Sequence, residues 1–420
     1  MIEGIDAIAA RATPGLHGTH DPLGGSVVGG TSPQGLVALL SAALFLVRTV
    51  FMMIGPLLVV LAEAFDTSVA ATGQLAAAIG ISWGITAPLV GPVSDIYGRR
   101  RVGLSGLALM AAGILGSALA WDYWGLLICR LVTGVGAAMI PPNSVATVAD
   151  HFPPSQRGTP ISILISASFF GVVIGTPLIA FLADVGGWRL PFNVVGALLL
   201  VVLGLQWYWF PQHLPTTQAF SFLTHFNRVG RITSLWYVLV ANFFYQTAAL
   251  GIFVYLAAFL IRKYGMTQGE TAIPLAVVGL GAMLGSLLGG YVAGQRQRLT
   301  LSALALLLGG GSVFVALTVS LSSWVAILLC CVSALLLTVF EPVTWALTSE
   351  FSGESRATAN GLLATSNQLG VIGGASAGGI VLAFGGFPFV GLFCLGAAIA
   401  AAIVVTGLKR RTREAVAVGN

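Results

Sequence analysis

Three ionisable side chains lie inside long apolar runs of this sequence, namely Arg48, Arg130 and Glu341. On membrane-insertion scales a charge at the bilayer centre costs at least about 2.5–3.5 kcal/mol, so such residues are retained for a function or a specific partner. Glu341 is the strongest candidate, because a carboxyl group withdrawn from water can bind and release a proton near neutral pH. We predict that it binds a proton or a substrate. The alternative is a structural ion pair with an arginine, or a position near the cytoplasmic interface.

Further polar residues predict a substrate site around these charges. Arg48 lies near the middle of its apolar run, and its guanidinium group offers a planar fork to a carboxylate or phosphate group; a fixed structural pair is the alternative. One helix face carries polar residues at spacing i, i+3 and i+4, which are Asn242, Tyr245 and Gln246. Trp345 lies one turn after Glu341 and could stack on an aromatic or cationic substrate, although packing in the core or against lipid explains it equally well.

The composition excludes an ordinary soluble enzyme. Of the 420 residues, 57% are hydrophobic and 8% are charged, whereas soluble proteins have about 25% charged residues. Disorder is excluded for the same reason, because it needs polarity and net charge. The four cysteines lie in apolar runs and predict no disulfides, and neither lysine completes a phosphate-binding Gly-Lys-Ser/Thr motif. We therefore predict no enzyme activity, no cofactor, no metal site and no nucleic-acid partner.

Twelve apolar segments are long enough to cross the hydrocarbon core, which takes about 20 residues. They are residues 36–61, 69–90, 102–121, 124–149, 159–183 and 190–210 in the first half, and 232–260, 271–293, 299–320, 323–348, 357–384 and 388–408 in the second. With the N-terminus inside, fourteen of the 19 Lys and Arg residues lie in cytoplasmic segments and three in external loops. This bias predicts a multi-pass protein of the cell membrane with both termini in the cytoplasm.

The sequence matches itself when it is shifted by 199 residues. Arg99 then falls on Arg298, Arg157 on Arg356, and Gly186 and Gly187 on Gly385 and Gly386. Six spans per half is an even number, so both halves have the same orientation, which is the pattern of two bundles with a site between them. We predict an all-α membrane protein of two pseudo-symmetric six-helix bundles. The predicted segments are a flexible cytoplasmic tail at 1–34, bundles at 35–210 and 232–409, a cytoplasmic linker at 211–231 and a cytoplasmic tail at 410–420.

Four spans carry glycines that return to one helix face. The pairs are Gly80 and Gly84 in span 2, Gly171 and Gly175 in span 5, Gly281 and Gly285 in span 8, and Gly370 and Gly374 in span 11. A glycine stripe lets two helix backbones approach closely in lipid. We expect these stripes to form the surface on which the two bundles rock; static close packing is the alternative.

Two motifs resemble those of the major facilitator superfamily. After span 2 the chain reads Gly91-Pro92-Val93-Ser94-Asp95-Ile96-Tyr97-Gly98-Arg99-Arg100-Arg101, which resembles the signature between helices 2 and 3 of that family. Span 4 carries Arg130-Leu131-Val132-Thr133-Gly134, which resembles the helix-4 motif of proton-coupled members. The resemblance covers residues 35–409. Within the superfamily, the chain is most similar to the twelve-span drug or sugar efflux group, which includes drug–proton antiporters.

The resemblance assigns roles to several residues. In this superfamily helices 1, 4, 7 and 10 line the central cavity, and all three intramembrane charges fall on that set. The helix-4 motif implies that Arg130 takes part in proton coupling. The signature after span 2 implies a gate, in which Asp95 pairs with an arginine or a helix N-terminus of the other half. Its predicted members are Gly91, Asp95, Gly98, Arg99 and Arg100.

These observations favour a secondary transporter that works by alternating access. We expect proton-coupled export of a small organic compound such as a drug or sugar. Uptake or facilitated diffusion of a small, possibly anionic metabolite is the second hypothesis, and a non-transporting membrane receptor is the third. The expected partners are the small-molecule substrate, protons and the lipid bilayer, and we expect a monomer.

Overall fold

The computed structural model describes residues 32–153, 158–210, 232–319, 322–352 and 356–418, and these residues form helices joined by short turns. Spans 1–6 are Pro33–Met52 with Ile54–Ala64, Val69–Tyr97, Arg99–Leu119, Tyr123–His151, Gly158–Phe170 with Gly171–Gly175 and Thr176–Gly186, and Arg189–Trp209. Spans 7–10 are Thr233–Tyr264, Ala272–Ala293, Arg298–Thr318, and Ser323–Thr338 with Phe340–Phe351. Span 11 is Arg356–Ile372, Gly373–Ala377 and the first part of the helix Gly378–Val418. Span 12 is the second part of that helix, which is broken at Gly386.

The described residues contain eleven helices long and apolar enough to cross a membrane, and the break at Gly386 divides the last of them into spans 11 and 12. Each of the twelve segments that the sequence predicts overlaps a helix of the structure. The final helix continues through the predicted tail to Val418. The predicted linker at 211–231 and nearly all of the predicted tail at 1–34 lie outside the described residues. We call the side on which span 1 begins the terminal face, and the opposite side the distal face.

Side chains and glycines define several helix ends. The hydroxyl groups of Ser32 and Ser68 and the carboxylate of Asp122 accept hydrogen bonds from backbone N–H groups of the first turns of spans 1, 2 and 4. Such N-caps satisfy donors that a helix start leaves unpaired. At the other extreme, Gly187 and Gly386 have φ values of 73° and 69°, which side chains with a Cβ rarely adopt. The two glycines are repeat-related and make the same turn in each half.

Spans 1 and 10 are each broken near the middle. The helix stops at Met52 and resumes at Ile54 in span 1, and it stops at Thr338 and resumes at Phe340 in span 10. Pro56 and Pro342 explain both breaks, because a proline lacks the N–H that would bond to the carbonyl four residues earlier. Discontinuous helices of this kind supply binding groups at mid-membrane in many transporters.

Spans 5 and 11 each contain a π-helical segment, Gly171–Gly175 and Gly373–Ala377. Single π turns inside α-helices are rare and often lie at functional sites. In span 11 the segment presents two carbonyl groups to other spans. Tyr255 donates its hydroxyl to the carbonyl of Ala375 at 2.5 Å, and the Gln74 amide donates to the carbonyl of Ser376 at 3.5 Å.

Among the described residues, the two halves meet mainly where span 2 packs on span 11, span 1 on span 7, and span 5 on span 8. A Cβ on Gly80 would lie 3.2 Å from side-chain atoms of Val371 and Ile372, and one on Gly84 would lie 3.3 Å from Gln368. These two glycines therefore lie at the contact between the halves.

The other six predicted interface glycines pack inside their own half. Gly171 and Gly175 face span 1, Gly281 and Gly285 face span 10, and Gly370 and Gly374 face span 7. The expectation of a surface between bundles was wrong for these six. Four-residue spacing shows that a stripe exists, but it does not show which neighbour the stripe faces.

Two basic residues close helix ends at the distal face. Arg189 donates to the carbonyl groups of Ala118 and Ala120 at 3.2 and 3.0 Å, at the end of span 3. Lys263 donates to the carbonyl of Val319 at 3.0 Å, at the end of span 9. A cation at a helix C-terminus complements the partial negative charge of its free carbonyls. Both side chains also lie over aromatic rings, 4.1 Å from the Trp188 ring for Arg189 and 5.2 Å from the Phe259 ring for Lys263.

Candidate substrate site

A cavity lies between the halves, beside the breaks in spans 1 and 10. Four of the six residues predicted to bind substrate line it, which are Arg48, Tyr245, Gln246 and Glu341. They come from spans 1, 7 and 10. Apolar side chains such as Met52 and Phe253 complete the wall. An apolar cavity with a few convergent polar groups is the usual form of a small-molecule site.

Glu341 lies in the first turn of the helix that follows the break in span 10. The partial positive charge of a helix N-terminus stabilises a carboxylate placed there. The hydroxyl of Tyr245 donates to Glu341 Oε2 at 3.4 Å. Tyr245 itself is only 1% exposed, and its ring meets that of Phe340 edge-on at 5.8 Å. The break in the helix and the buried tyrosine thus hold one carboxylate at the cavity wall.

Arg48 brings a positive charge to the opposite half of the cavity. Its Cζ lies 5.7 Å from the centre of the Phe51 ring, and that ring meets Trp83 edge-on at 5.6 Å. Within the part of the chain that the structure describes, no carboxylate lies within 4 Å of the Arg48 guanidinium group, Glu341 included. The fixed structural pair weighed from the sequence is therefore absent from this region, and the fork of donors faces the cavity.

Arg130 does not line this cavity. It is completely buried, and its Nη2 donates to the carbonyl of Val50 at 3.1 Å. In an unbroken helix the Val50 carbonyl would accept a hydrogen bond from the N–H of Ile54. At the break it accepts one from the N–H of Met53 instead, at 3.4 Å. The Nε and Nη1 atoms of Arg130 have no hydrogen-bond partner among the described residues. The expectation of three cavity charges was wrong for this residue, because depth in the membrane does not fix the direction in which a side chain points.

Asn242 and Trp345 also lie away from the cavity. The buried Asn242 amide donates to Ser366 Oγ at 3.1 Å and to Asn367 Oδ1 at 2.5 Å, so it joins span 7 to span 11. Trp345 is 38% exposed and is absent from the cavity wall. These two substrate contacts are therefore not found. The polar face of span 7 is wide enough to serve the cavity at one edge and a neighbouring helix at the other.

The predicted gate is described only in part. Gly98 has a φ of 89° and forms the turn between spans 2 and 3. Arg99 pairs with Asp150 at 3.1 Å and Arg100 donates to the Trp207 carbonyl, so both contacts stay within the first half. The side chain of Asp95 and the surroundings of Gly91 lie outside the described residues. The repeat keeps the Arg99 contact, because Arg298 pairs with Glu350 at 2.6 Å in the second half.

Sequence reasoning missed the polar contacts that join the two halves. Ser376 donates its hydroxyl to Gln74 Oε1 at 2.7 Å, and the Gln268 amide donates to the carbonyl of Pro56. No local pattern marks such residues, because their partners lie hundreds of residues away. In the part of the chain that the structure describes, no group of three His, Cys, Asp or Glu side chains could hold a metal ion.

The family model described as Major Facilitator Superfamily matches residues 40–370. The chain belongs to the Major Facilitator Superfamily. The fold agrees with solved structures of that kind. A bacterial homolog of the human lysosomal transporter Spinster, in an inward-facing and occupied conformation, superimposes with a TM-score of 0.73 at 18% identity, covering 89% of this chain and 96% of that one. A D-xylose-proton symporter gives a TM-score of 0.71 at 19% identity, covering 88% and 96%.

Several curated relatives are similar in sequence. The uncharacterized transporter YceJ of Bacillus subtilis is 27% identical over 60% of this chain and 65% of its own length, slightly under two thirds. The 3-(3-hydroxy-phenyl)propionate transporter of Escherichia coli is 29% identical over 76% and 78%. The galacturonate transporter of Dickeya chrysanthemi is 27% identical over 67% and 90%. Family and fold mark this superfamily member as a multi-pass membrane transporter rather than an enzyme, and the predicted fold class is confirmed.

Proposed function

We propose that this protein carries a small organic acid and a proton together across the cell membrane by alternating access. The observation that carries the proposal is the Arg48 guanidinium group, which lines the cavity without a carboxylate partner in the described part of the chain. Arg48 is only partly buried in this structure, and a cation that loses its remaining water without gaining a partner is costly. An anionic substrate that enters the cavity would supply the missing partner through a bidentate contact.

The named relatives support an acid as substrate. One relative is named for 3-(3-hydroxy-phenyl)propionate and another for galacturonate. Both compounds carry a carboxylate group, which the Arg48 guanidinium group can bind. Cavity charge and relatives therefore point to the same chemical class.

The charge of the substrate decides the direction of proton coupling. Glu341 shares the cavity with Arg48, so an anion bound at Arg48 disfavours the ionised form of Glu341 and favours its protonation. Anion and proton then bind cooperatively and leave together, which is symport. Arg130 can affect this coupling only indirectly, because it contacts the carbonyl of Val50 at the break in span 1 rather than the cavity.

The second candidate is export in exchange for protons, as the resemblance to the efflux group suggests. A cationic compound would compete with the proton for Glu341, so the two would move in opposite directions. The sign of proton movement on binding therefore separates the two candidates. In both cases we propose that the terminal face is cytoplasmic, on the basis of the fourteen-to-three distribution of basic residues.

The test is proton exchange by the purified protein when acids are added. D-Galacturonate and 3-(3-hydroxyphenyl)propionate serve as probes, and the variants are Arg48→Gln and Glu341→Gln. We expect proton uptake on acid binding in the parent and none in Glu341→Gln. Charge-assisted hydrogen bonds contribute about 1.5–3 kcal/mol, so Arg48→Gln should bind about 10- to 100-fold more weakly.

Arg296→Gln is the matched control, because Arg296 is exposed in the loop after span 8. It should leave acid binding unchanged. Binding of neither acid, or binding that does not depend on Arg48, would overturn the proposal. Release of protons by a cationic compound through Glu341 would favour export by exchange.

A further inference from the structure

Arg48 and Gln246 occupy the same position in the two halves of the molecule. A Cβ on Gly171 would meet the carbonyl of Phe45 at 2.6 Å and the Cβ of Arg48 at 2.9 Å. A Cβ on Gly370 would meet the carbonyl of Phe243 at 2.6 Å and the Cβ of Gln246 at 2.5 Å. Spans 1 and 5 therefore pack as spans 7 and 11 do, with arginine replaced by glutamine.

A pair of threonines shows how closely the two environments agree. Thr49 donates its hydroxyl to the carbonyl of Phe45 at 2.9 Å and faces that of Gly171 at 3.4 Å. Thr247 donates to the carbonyl of Phe243 at 2.9 Å and faces that of Gly370 at 3.3 Å. The residue before each threonine is thus held by the same contacts, so Arg48 and Gln246 approach one cavity from repeat-related directions.

Both of these side chains line the cavity, and both have unused hydrogen-bonding capacity. Within the described residues, the amide of Gln246 makes no hydrogen bond, although the residue is only 9% exposed. An amide that a bound substrate withdraws from water without supplying a partner is unfavourable. One half of the molecule therefore offers a cation to the cavity, and the repeat-related position of the other half offers a neutral group that both donates and accepts.

We propose that Gln246 determines specificity by binding a hydroxyl group of the substrate, at the end opposite the carboxylate held by Arg48. The proposal rests on the proposed function and narrows it to hydroxy-monocarboxylates. A hydroxyl group donates and accepts, as the amide does, so it satisfies Gln246 without adding charge. A second carboxylate at that end would meet Glu341, which shares the wall with Tyr245 and Gln246, and no cation from span 7.

The preference for a hydroxylated acid follows from the Gln246 amide, which an acid without a hydroxyl group leaves unpaired. An acid that lacks the hydroxyl would still reach Arg48, but it would leave the Gln246 amide buried without a partner. Sites that hydrogen-bond a substrate hydroxyl reject the analogue without it for this reason. Exchange of Gln246 for arginine would make the two ends alike and would suit a dicarboxylate.

The experiment compares matched acids on Gln246→Leu and Gln246→Arg. The first series is 3-(3-hydroxyphenyl)propionate, 3-phenylpropionate and 3-(3-carboxyphenyl)propionate, and the second is D-galacturonate with its dicarboxylate, galactarate. We expect the parent to bind the hydroxylated monoacid at least about 10-fold more tightly than 3-phenylpropionate. Gln246→Leu should lose that preference by weakening the hydroxylated acid alone, and should bind D-galacturonate more weakly. Gln246→Arg should move the preference toward the dicarboxylate of either series.

Gln206→Leu is the matched control, since Gln206 is a buried amide that donates to the carbonyl of Leu39 away from the cavity. Size-exclusion profiles and melting temperatures show that each variant folds, and Gln246→Leu decides the hydroxyl contact if Gln246→Arg does not fold. Equal weakening of 3-phenylpropionate and its hydroxylated form in Gln246→Leu would overturn this inference while binding through Arg48 still held. Binding of neither acid series by the parent would overturn the proposed function and this inference together.

Discussion

Gln74 of span 2 and Ser376 of span 11 bond to each other twice across the boundary between the halves. The serine hydroxyl donates to the glutamine carbonyl oxygen at 2.7 Å, and the glutamine amide donates to the serine backbone carbonyl at 3.5 Å. The second bond reaches into the π-helical segment Gly373–Ala377. This pair lies near the distal face, where alternating access requires the halves to separate.

Loss of this pair should favour separation at the distal face. A neutral hydrogen bond contributes about 0.5–1.5 kcal/mol, so Gln74→Leu should raise the population open at the distal face by roughly 2- to 10-fold. Electron-paramagnetic distance measurements between labels at Glu63 and Glu270, with the four native cysteines replaced, would report the change. Gln206→Leu removes an amide that bonds within one half and should leave the distances unchanged. An unchanged distribution in Gln74→Leu would show that the pair does not hold this face closed.

Alanine at the two repeat-related turns should destabilise the protein through backbone strain alone. Gly187 has no atom within 4 Å of an added Cβ, and Gly386 has only Pro388 at 3.8 Å. Their backbone conformations are nearly exclusive to glycine and cost about 1–3 kcal/mol for other residues. Gly187→Ala and Gly386→Ala should each lower stability by that amount in chemical denaturation. Gly204→Ala, in a helix and equally free of contacts, should be neutral or stabilising by about 0.5–1 kcal/mol. Equal effects at all three sites would contradict the assignment to backbone strain.

Substitution of glycine by valine should have different effects at contacts between the halves and at contacts within one half. Gly80→Val places methyl groups against Val371 and Ile372 of the other half, so the halves can separate to make room. Gly285 packs on the backbone carbonyl of Leu335 in its own half, so Gly285→Val has no such escape. We expect Gly80→Val to give monodisperse protein with altered distal distances and Gly285→Val to give little folded protein. Loss of folded protein in both variants would contradict this distinction.

Arg130 should matter more for transport than for stability. The side chain is fully buried, and two of its three nitrogens have no partner among the described residues, so its charge is poorly compensated. Replacement of buried charged groups by apolar ones of similar size is often neutral or stabilising by about 1–4 kcal/mol. Arg130→Met should therefore keep or raise the melting temperature while acid transport falls. Arg189→Met, which removes the contacts to the carbonyls of Ala118 and Ala120, should lower it. A destabilised Arg130→Met that still transports would contradict this view.

The sequence was sufficient to predict the helices that form the spans. Apolar length, basic-residue bias and the 199-residue repeat all depend on local composition, and the cost of an intramembrane charge identified Arg48 and Glu341. The same cost identified Arg130, but a helix position does not give a direction, and this side chain turns toward the break in span 1. The prediction that Asn242 binds substrate was wrong for a related reason, since one helix face contacts both the cavity and span 11.

Contacts between segments far apart in the chain could not be predicted from the sequence. The pair of Gln74 and Ser376 joins residues that are 302 positions apart, and neither residue stands out within its span. The π-helical segments also have no local signature in the sequence. The prolines that break spans 1 and 10 are the exception, because a proline inside an apolar segment is visible in the sequence and interrupts the helix by its own chemistry.

Arg189 and Lys263 are bound to helix carbonyls at the distal face, so the partial negative charge of those helix ends offsets part of their positive charge. The described residues of that face carry five exposed carboxylates, on Glu63, Asp66, Asp122, Asp184 and Glu270, against three basic residues, two of which are occupied with helix carbonyls. An acid arriving from this side is repelled until it passes between the halves, where Arg48 is the cation that lines the cavity. Its capture therefore gains nothing from electrostatic steering, and dissolved salt, which screens the repulsion, should speed its entry rather than slow it.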